Sequence, residues 1–264
     1  MTRLAVMGGG KMGAALVSGL LSAGWAEAGQ VLVVEPVAGR RDELAAAHPG
    51  LAVAEELGGE IEGAVVAVKP GDVEDACRAL AVAGVTRVLS IAAGVPLAKL
   101  ESWLGMGTAV VRAMPNTPAL VGCGMAAIAP GTLASEEDMA WAEEILSAVG
   151  KVERVGEALL DAVTGLSGSG PAYVFLVAEA LVEAGVAVGL PRPVAETLTV
   201  QTLLGSARLL AESGERAEAL RAAVTSPGGT TAAALAALES RAVRAAFLEA
   251  VAAATERSKQ LGRG

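Results

Sequence analysis

The sequence predicts a doubly wound α/β domain followed by an all-helical domain, and three observations carry that expectation. First, short runs that are almost continuously apolar recur at Leu4–Met7, Val31–Val34, Ala64–Val68 and Arg87–Ala92. Strands without a polar face suit a parallel sheet covered on both sides. Second, helical patterns at 11–23, 39–47 and 72–83 separate those runs, a βαβ rhythm that predicts right-handed crossovers. Third, after Gly156 the strand-like runs stop, and Ala, Leu and Val recur at helical spacing to the C-terminus. The boundary is placed at 157, giving domains 1–157 and 158–264.

In the first domain, further strands are expected near Ala109–Ala113, Met125–Ala129 and Lys151–Val155. Ser135, with Asp138 three positions on, has the form of a capping box opening a helix that ends near Gly150. In the second domain, Ser169-Gly170-Pro171 reads as a helix start, because proline needs no amide in the first turn. Gly189 through Pro193 ends one helix and begins another.

Composition narrows the partners. The 264 residues are 53% hydrophobic but only 2% aromatic, so the core is built from Ala, Val and Leu. A net charge of −9 with no dense Lys/Arg run argues against nucleic acid or an anionic membrane surface. Cys77 and Cys123 stand in unrelated contexts, which fits reduced thiols in a cytoplasmic protein and no metal site. The most apolar long stretch, Pro171 to Leu190, carries Glu179 and Glu183 on one helix face, costly in lipid. It is expected to be a buried helix of a soluble protein.

The strongest local signal follows the first strand. Gly8-Gly9-Gly10-Lys11-Met12-Gly13 satisfies G-x-G-x-x-G between a strand and a helix, the context expected of a Rossmann-like dinucleotide site. Gly8 permits the tight turn, Gly10 lets backbone approach a pyrophosphate, and Gly13 lets helix pack on strand. Amides at the helix N-terminus, from Lys11 and Met12 onward, then meet the anion. Glu35 ends the second strand, where an acidic residue grips ribose hydroxyls and favours NAD(H). Arg40 and Arg41 follow within a helical turn and could instead pair with the 2′-phosphate of NADP(H). All three also fit an ordinary solvated loop, and the cofactor stays open as NADP(H) or NAD(H).

Lys69-Pro70 and Ile91-Ala92-Ala93-Gly94 end the third and fourth strands, where such sheets line their ligand crevice. These turns are expected to border the nicotinamide, although Lys69 also fits a solvated strand end. Met114-Pro115-Asn116-Thr117-Pro118 places polar groups at the same edge, with a purely structural turn as the alternative. Absences matter too. His48 is the only histidine, it precedes Pro49 in a polar loop, and the second domain holds a single lysine, Lys259, near its end. Chemistry that needs a His–carboxylate pair or a lysine in that domain has no credible place here. Reduction of a cyclic imine needs less, because its basic nitrogen takes a proton from solvent.

Ala223-Val224-Thr225-Ser226-Pro227-Gly228-Gly229-Thr230-Thr231-Ala232-Ala233-Ala234-Leu235 closely resembles the signature of the pyrroline-5-carboxylate reductase family. Val111–Pro118, Gly165–Tyr173, the glycine loop and Ala67–Pro70 resemble the same family in the same order across essentially the whole chain. Arg216-Ala217 departs from a His-Pro pair common there. The resemblance implies hydride transfer from NAD(P)H to 1-pyrroline-5-carboxylate, giving L-proline. It implies that Thr231 hydrogen-bonds the ring nitrogen while Ser226, Gly228, Gly229 and Thr230 hold the carboxylate. It also implies an interwoven homodimer, five of which form a decamer, with active sites completed across subunits. By the residues alone, the segment also fits a Ser/Thr helix cap without a ligand. A related imine or ketone reductase and a non-catalytic dinucleotide-binding protein are the alternatives.

Overall fold

The computed structural model of the chain describes residues 1–263, and its contacts divide into two compact units. The first comprises Met1–Ser169 together with the chain from Ala252 onward, and the second is Gly170–Val251. This division differs from the expected cut at 157: the helical turns after Gly156 belong to the first unit, and so does the last part of the final helix. Two contacts within that unit show why. Leu160 is 1% exposed against Ala127 and Ala129 of the sheet, and Ser258 Oγ donates to Asp161 Oδ1 at 2.6 Å.

The first unit holds one eight-stranded sheet, built from β1 (Leu4–Met7), β2 (Val31–Val34), β3 (Ala52–Ala54), β4 (Ala64–Val66), β5 (Arg87–Ser90), β6 (Ala109–Met114), β7 (Gly124–Pro130) and β8 (Gly150–Arg154). Their order is β3-β2-β1-β4-β5-β6-β7-β8. All pairs are parallel except β6 with β7, where Val111 faces Pro130 and Met114 faces Ala127. The apolar strands are covered from both sides, as their composition requires. Leu4 and Val6 point into one cluster with Leu16, Val17 and Leu20, while Ala5 and Met7 join Val73, Cys77 and Leu80 on the opposite face. Alternate residues of one strand thus serve two cores.

Helices α1 (Lys11–Ser22), α2 (Ala38–Ala47), α3 (Val73–Val82), α4 (Leu97–Leu104) and α5 (Glu136–Ser147) connect the strands. The capping box of α5 forms: Asp138 N donates to Ser135 Oγ, and Ser135 N donates to Asp138 Oδ2. The expected strands Ala64–Val68 and Arg87–Ala92 end two residues early, because the chain turns into the crevice at Ala67 and Ile91.

α6 (Leu160–Val163) runs through a π-helical turn, Thr164–Gly168, into α7 (Gly170–Ala187). The second unit consists of α7, α8 (Arg192–Glu212), α9 (Ala217–Ala223), α10 (Thr230–Ser240) and the start of α11 (Val243–Arg263). α7 and α8 meet along a narrow seam, where Val182, Ala195 and Thr199 are buried and Gly185 approaches Ala195. The expectation that Pro171–Leu190 forms a buried helix is corrected here. Phe175 is 62% and Leu176 65% exposed, because one helix pair covers only one face of α7. The run Glu157–Ala187 is long and apolar enough to cross a bilayer by length and composition, and 6% of its apolar window is buried.

Candidate active site

The glycine loop closes the β1–α1 turn, and its glycines have separate reasons to be there. Gly8 has φ +104°, and a Cβ on it would lie 2.9 Å from the Ala67 carbonyl oxygen. A Cβ on Gly13 would lie 2.1 Å from the carbonyl oxygen of Gly8. Both are demanded by the turn itself. Gly10 is different. It is exposed, its φ of −64° suits any residue, and a Cβ there would meet nothing within 4 Å. It is the N-cap of α1, and no side chain caps that helix. An open Cβ position beside uncapped amides is what a pyrophosphate requires, so the loop fits a dinucleotide. Lys11 is exposed at the start of this helix, and Met12 is half-buried behind it.

Glu35, at the end of β2, is 9% exposed and reaches back to the same loop. Its Oε2 accepts from Gly9 N–H at 2.9 Å and its Oε1 from Val37 N–H at 3.0 Å. Arg40 donates from Nε to the Gly9 carbonyl at 3.1 Å and pairs with Glu43 at 2.6 Å. Arg41 donates to the carbonyls of Glu35 and Pro36, both at 2.8 Å, and pairs with Glu55 at 3.2 Å. A cleft of about 780 Å³ opens beside these residues, between the ends of β1 and β2 and the face of α3. Met7, Gly8, Val34, Pro36, Leu57 and Val68 supply walls suited to a flat apolar ring.

The other expected residues occupy the carboxyl ends of neighbouring strands. Lys69 is exposed and caps a short 3₁₀ turn, Pro70–Asp72, that leads into α3. Ala92 is buried and Ala93 exposed in the turn after β5, and the next residue, Gly94, has φ +76° with Leu261 behind it. Asn116 is spent within the chain. Its Nδ2 donates to the Ser167 carbonyl in the π-turn at 3.1 Å, and its Oδ1 accepts from Met125 N–H at 2.8 Å. It braces the turn after β6 against β7 and the π-turn.

Residues not anticipated support this edge. Glu157 Oε1 accepts from Leu97 N–H at 2.7 Å and from Arg112 at 2.9 Å, tying α4 and β6 together. No local pattern marks Glu157, because its partners lie 45 and 60 residues away.

In the second unit, Ser226–Gly229 is a tight turn in which Gly229 N–H donates to the Ser226 carbonyl at 3.0 Å. Gly228 has φ +69°, and a Cβ on Gly229 would lie 2.3 Å from Ser226 Oγ. The N-cap of α10 is Gly229, with no side-chain cap, so the hydroxyls here do not cap the helix in the usual manner. Thr230 opens the helix on its exposed side, and Thr231 is half-buried beside it. The turn thus gathers Ser226, two glycine amides and two threonines at one helix N-terminus.

Known proteins share this fold. Residues 3–94 match the family described as NADP oxidoreductase coenzyme F420-dependent, and 157–261 that described as Pyrroline-5-carboxylate reductase dimerisation. A pyrroline-5-carboxylate reductase of Mycobacterium tuberculosis is 45% identical over 99% of this chain and 97% of its own length. The solved structure of a pyrroline-5-carboxylate reductase from Coxiella burnetii superposes with a TM-score of 0.91 at 36% identity, covering 98% of each chain. A Plasmodium falciparum pyrroline carboxylate reductase with NADP bound does so with a TM-score of 0.85 at 30% identity, covering 99% of this chain and 98% of that one. Glycine loop, sheet order and Ser-Pro-Gly-Gly-Thr-Thr turn agree with likeness along the full length, and the chain belongs to the pyrroline-5-carboxylate reductase family.

Proposed function

We propose that this chain reduces 1-pyrroline-5-carboxylate to L-proline with NAD(P)H. The carrying observation is the full-length likeness to such reductases, 45% identity over 99% of the chain, alongside the Ser-Pro-Gly-Gly-Thr-Thr turn at Ser226–Thr231. When bound, the nicotinamide supplies a hydride, two electrons and a proton's mass, to the imine carbon and becomes oxidised. The ring nitrogen keeps the former C=N π electrons and, with a proton from solvent, becomes a secondary amine.

The residues of the chain bind and orient. Gly10 and the α1 amides at Lys11, Met12 and Gly13 hold the pyrophosphate, Glu35 holds the adenosine ribose, and Arg40 braces the loop from behind. Lys69, Pro70, Ala92 and Ala93 border the nicotinamide, and Asn116 keeps the adjoining turn in place. Ser226 and the amides of Gly228, Gly229 and Thr230 cradle the substrate carboxylate, which a helix N-terminus favours. Thr231 donates to the ring nitrogen. Fixing both reactants in this way lowers the barrier without a strong side-chain acid.

The exposed apolar faces of α7 and α8, with Phe175, Leu176 and Leu198 all more than half exposed, support burial against another copy. A homodimer, five of which form a decamer, is the assembly we assign. Its interface would also cover the run Glu157–Ala187, leaving a cytoplasmic enzyme that meets neither membrane nor nucleic acid. Oxidation of reduced cofactor on adding 1-pyrroline-5-carboxylate, with proline identified as product, tests the reaction. Turnover with other cyclic imines alone would assign a related imine reductase, and dinucleotide binding without turnover on any imine a non-catalytic protein.

A further inference from the structure

We infer that Glu35 makes this chain selective for NADH over NADPH. The inference rests on the dinucleotide site proposed above and concerns which of the two cofactors that site takes.

The Glu35 carboxylate is fixed from both sides. One oxygen accepts from Gly9 N–H at 2.9 Å and the other from Val37 N–H at 3.0 Å, and the residue is 9% exposed. A carboxylate has about four acceptor positions, so each oxygen keeps one for a further donor. A ribose diol supplies two such donors, its 2′ and 3′ hydroxyls. A 2′-phosphate at the same place supplies only acceptors and about −1.5 to −2 charges. To make room for it, Glu35 would have to leave two backbone amides in a crowded turn.

The nearby arginines already have partners within the chain. Arg40 is held by the Gly9 carbonyl and Glu43, while Arg41 is held by two carbonyls and Glu55. The adjoining cleft is itself acidic. Glu55, Glu56, Asp72 and Asp75 line it, and the cation among its described lining residues, Arg78, pairs with Glu74 at 2.6 Å. A phosphate there meets carboxylates on two sides, whereas a ribose diol meets acceptors it can use.

The test compares initial rates with NADH and NADPH at fixed 1-pyrroline-5-carboxylate, alongside calorimetric titration of the enzyme with NAD⁺ and NADP⁺. The expected result is a kcat/KM ratio of about ten- to a hundredfold in favour of NADH, with the same order in affinity. Glu35→Gln, which removes the charge at nearly constant shape, should bring the ratio to within about threefold of unity. Glu35→Ser, which also removes the charge and leaves more room beside the turn, should do the same if the glutamine variant fails to fold. Equal use of both cofactors by the native enzyme, or preference for NADPH, would overturn the inference. So would a ratio unmoved in a folded Glu35 variant. If neither cofactor is oxidised, the reductase reading fails, and the two binding constants still decide the selectivity.

Discussion

A Cβ on Gly13 would lie 2.1 Å from the carbonyl oxygen of Gly8, whereas one on Gly10 would meet nothing within 4 Å. The two glycines, three residues apart, therefore answer to different demands. Gly13→Ala must displace backbone and should lower stability by about 1–3 kcal/mol, the usual range for overpacking. Gly10→Val should change stability by no more than about 1 kcal/mol, the cost of a poor N-cap, while abolishing dinucleotide binding. Thermal unfolding and calorimetric titration separate the effects. Unchanged affinity in Gly10→Val would displace the pyrophosphate from this loop.

Arg40 and Arg41 both donate to acceptors of this chain, and their joint replacement tests whether they also read the cofactor. The double Ala variant should alter binding of NAD⁺ and NADP⁺ by the same factor, within about threefold. A selective loss of NADP⁺ affinity, about tenfold or more for a charge-assisted contact, would show that the arginines reach a phosphate.

Thr231→Val keeps shape and β-branching but deletes the hydroxyl. If the hydrogen bond to nitrogen strengthens as hydride arrives, kcat should fall by more than KM rises. Loss of one polarised donor costs about 2.7–4 kcal/mol, and an already protonated imine should place this site at or below the lower figure. Cofactor affinity should stay constant. A fully active variant, judged by steady-state kinetics, would move the role to the amides of Gly229 and Thr230.

Asp138 joins Arg87 at 2.6 Å while completing the α5 capping box with Ser135. Burial alone would raise its pKa, but hydrogen bonds from Ser135 and Arg87 outweigh that and hold it below the usual carboxylate range. A depressed folded-state pKa contributes stability above the unfolded value near 4, and that contribution disappears as pH falls through the folded one. Asp138→Asn should therefore lower stability by about 1–2 kcal/mol at pH 7. The difference from the native chain should shrink steadily below about pH 4. Denaturant unfolding at both pH values checks this, and a constant gap would refute the ion pair's role.

Much of the first unit was legible because its signals are local. β1 and β2 fall where apolar runs of four residues place them, and the α5 capping box is a contact three positions apart. The glycine loop needs only the chemistry of a turn, and the start of α10 at Thr230 follows from the glycines before it. Shorter elements carry weaker signals. β3 is three residues long with none buried, and α4 has only eight residues behind Pro96. Neither is long enough for periodicity to rise above its surroundings.

The sequence by itself determined the two kinds of secondary structure, their order, the glycine loop and the Ser226–Thr231 turn, since each depends on neighbours within a few residues. Only the tertiary structure decided that β7 runs antiparallel to β6, because an apolar strand carries no mark of its direction. It alone placed the end of α11 in the first unit, through the pairing of Ser258 with Asp161, 97 residues apart. It also decided which partners Glu35, Arg40 and Arg41 have. Their letters fit several loops, and only the fold brings the Gly9 amide and carbonyl and the Glu35 carbonyl within hydrogen-bonding distance of them.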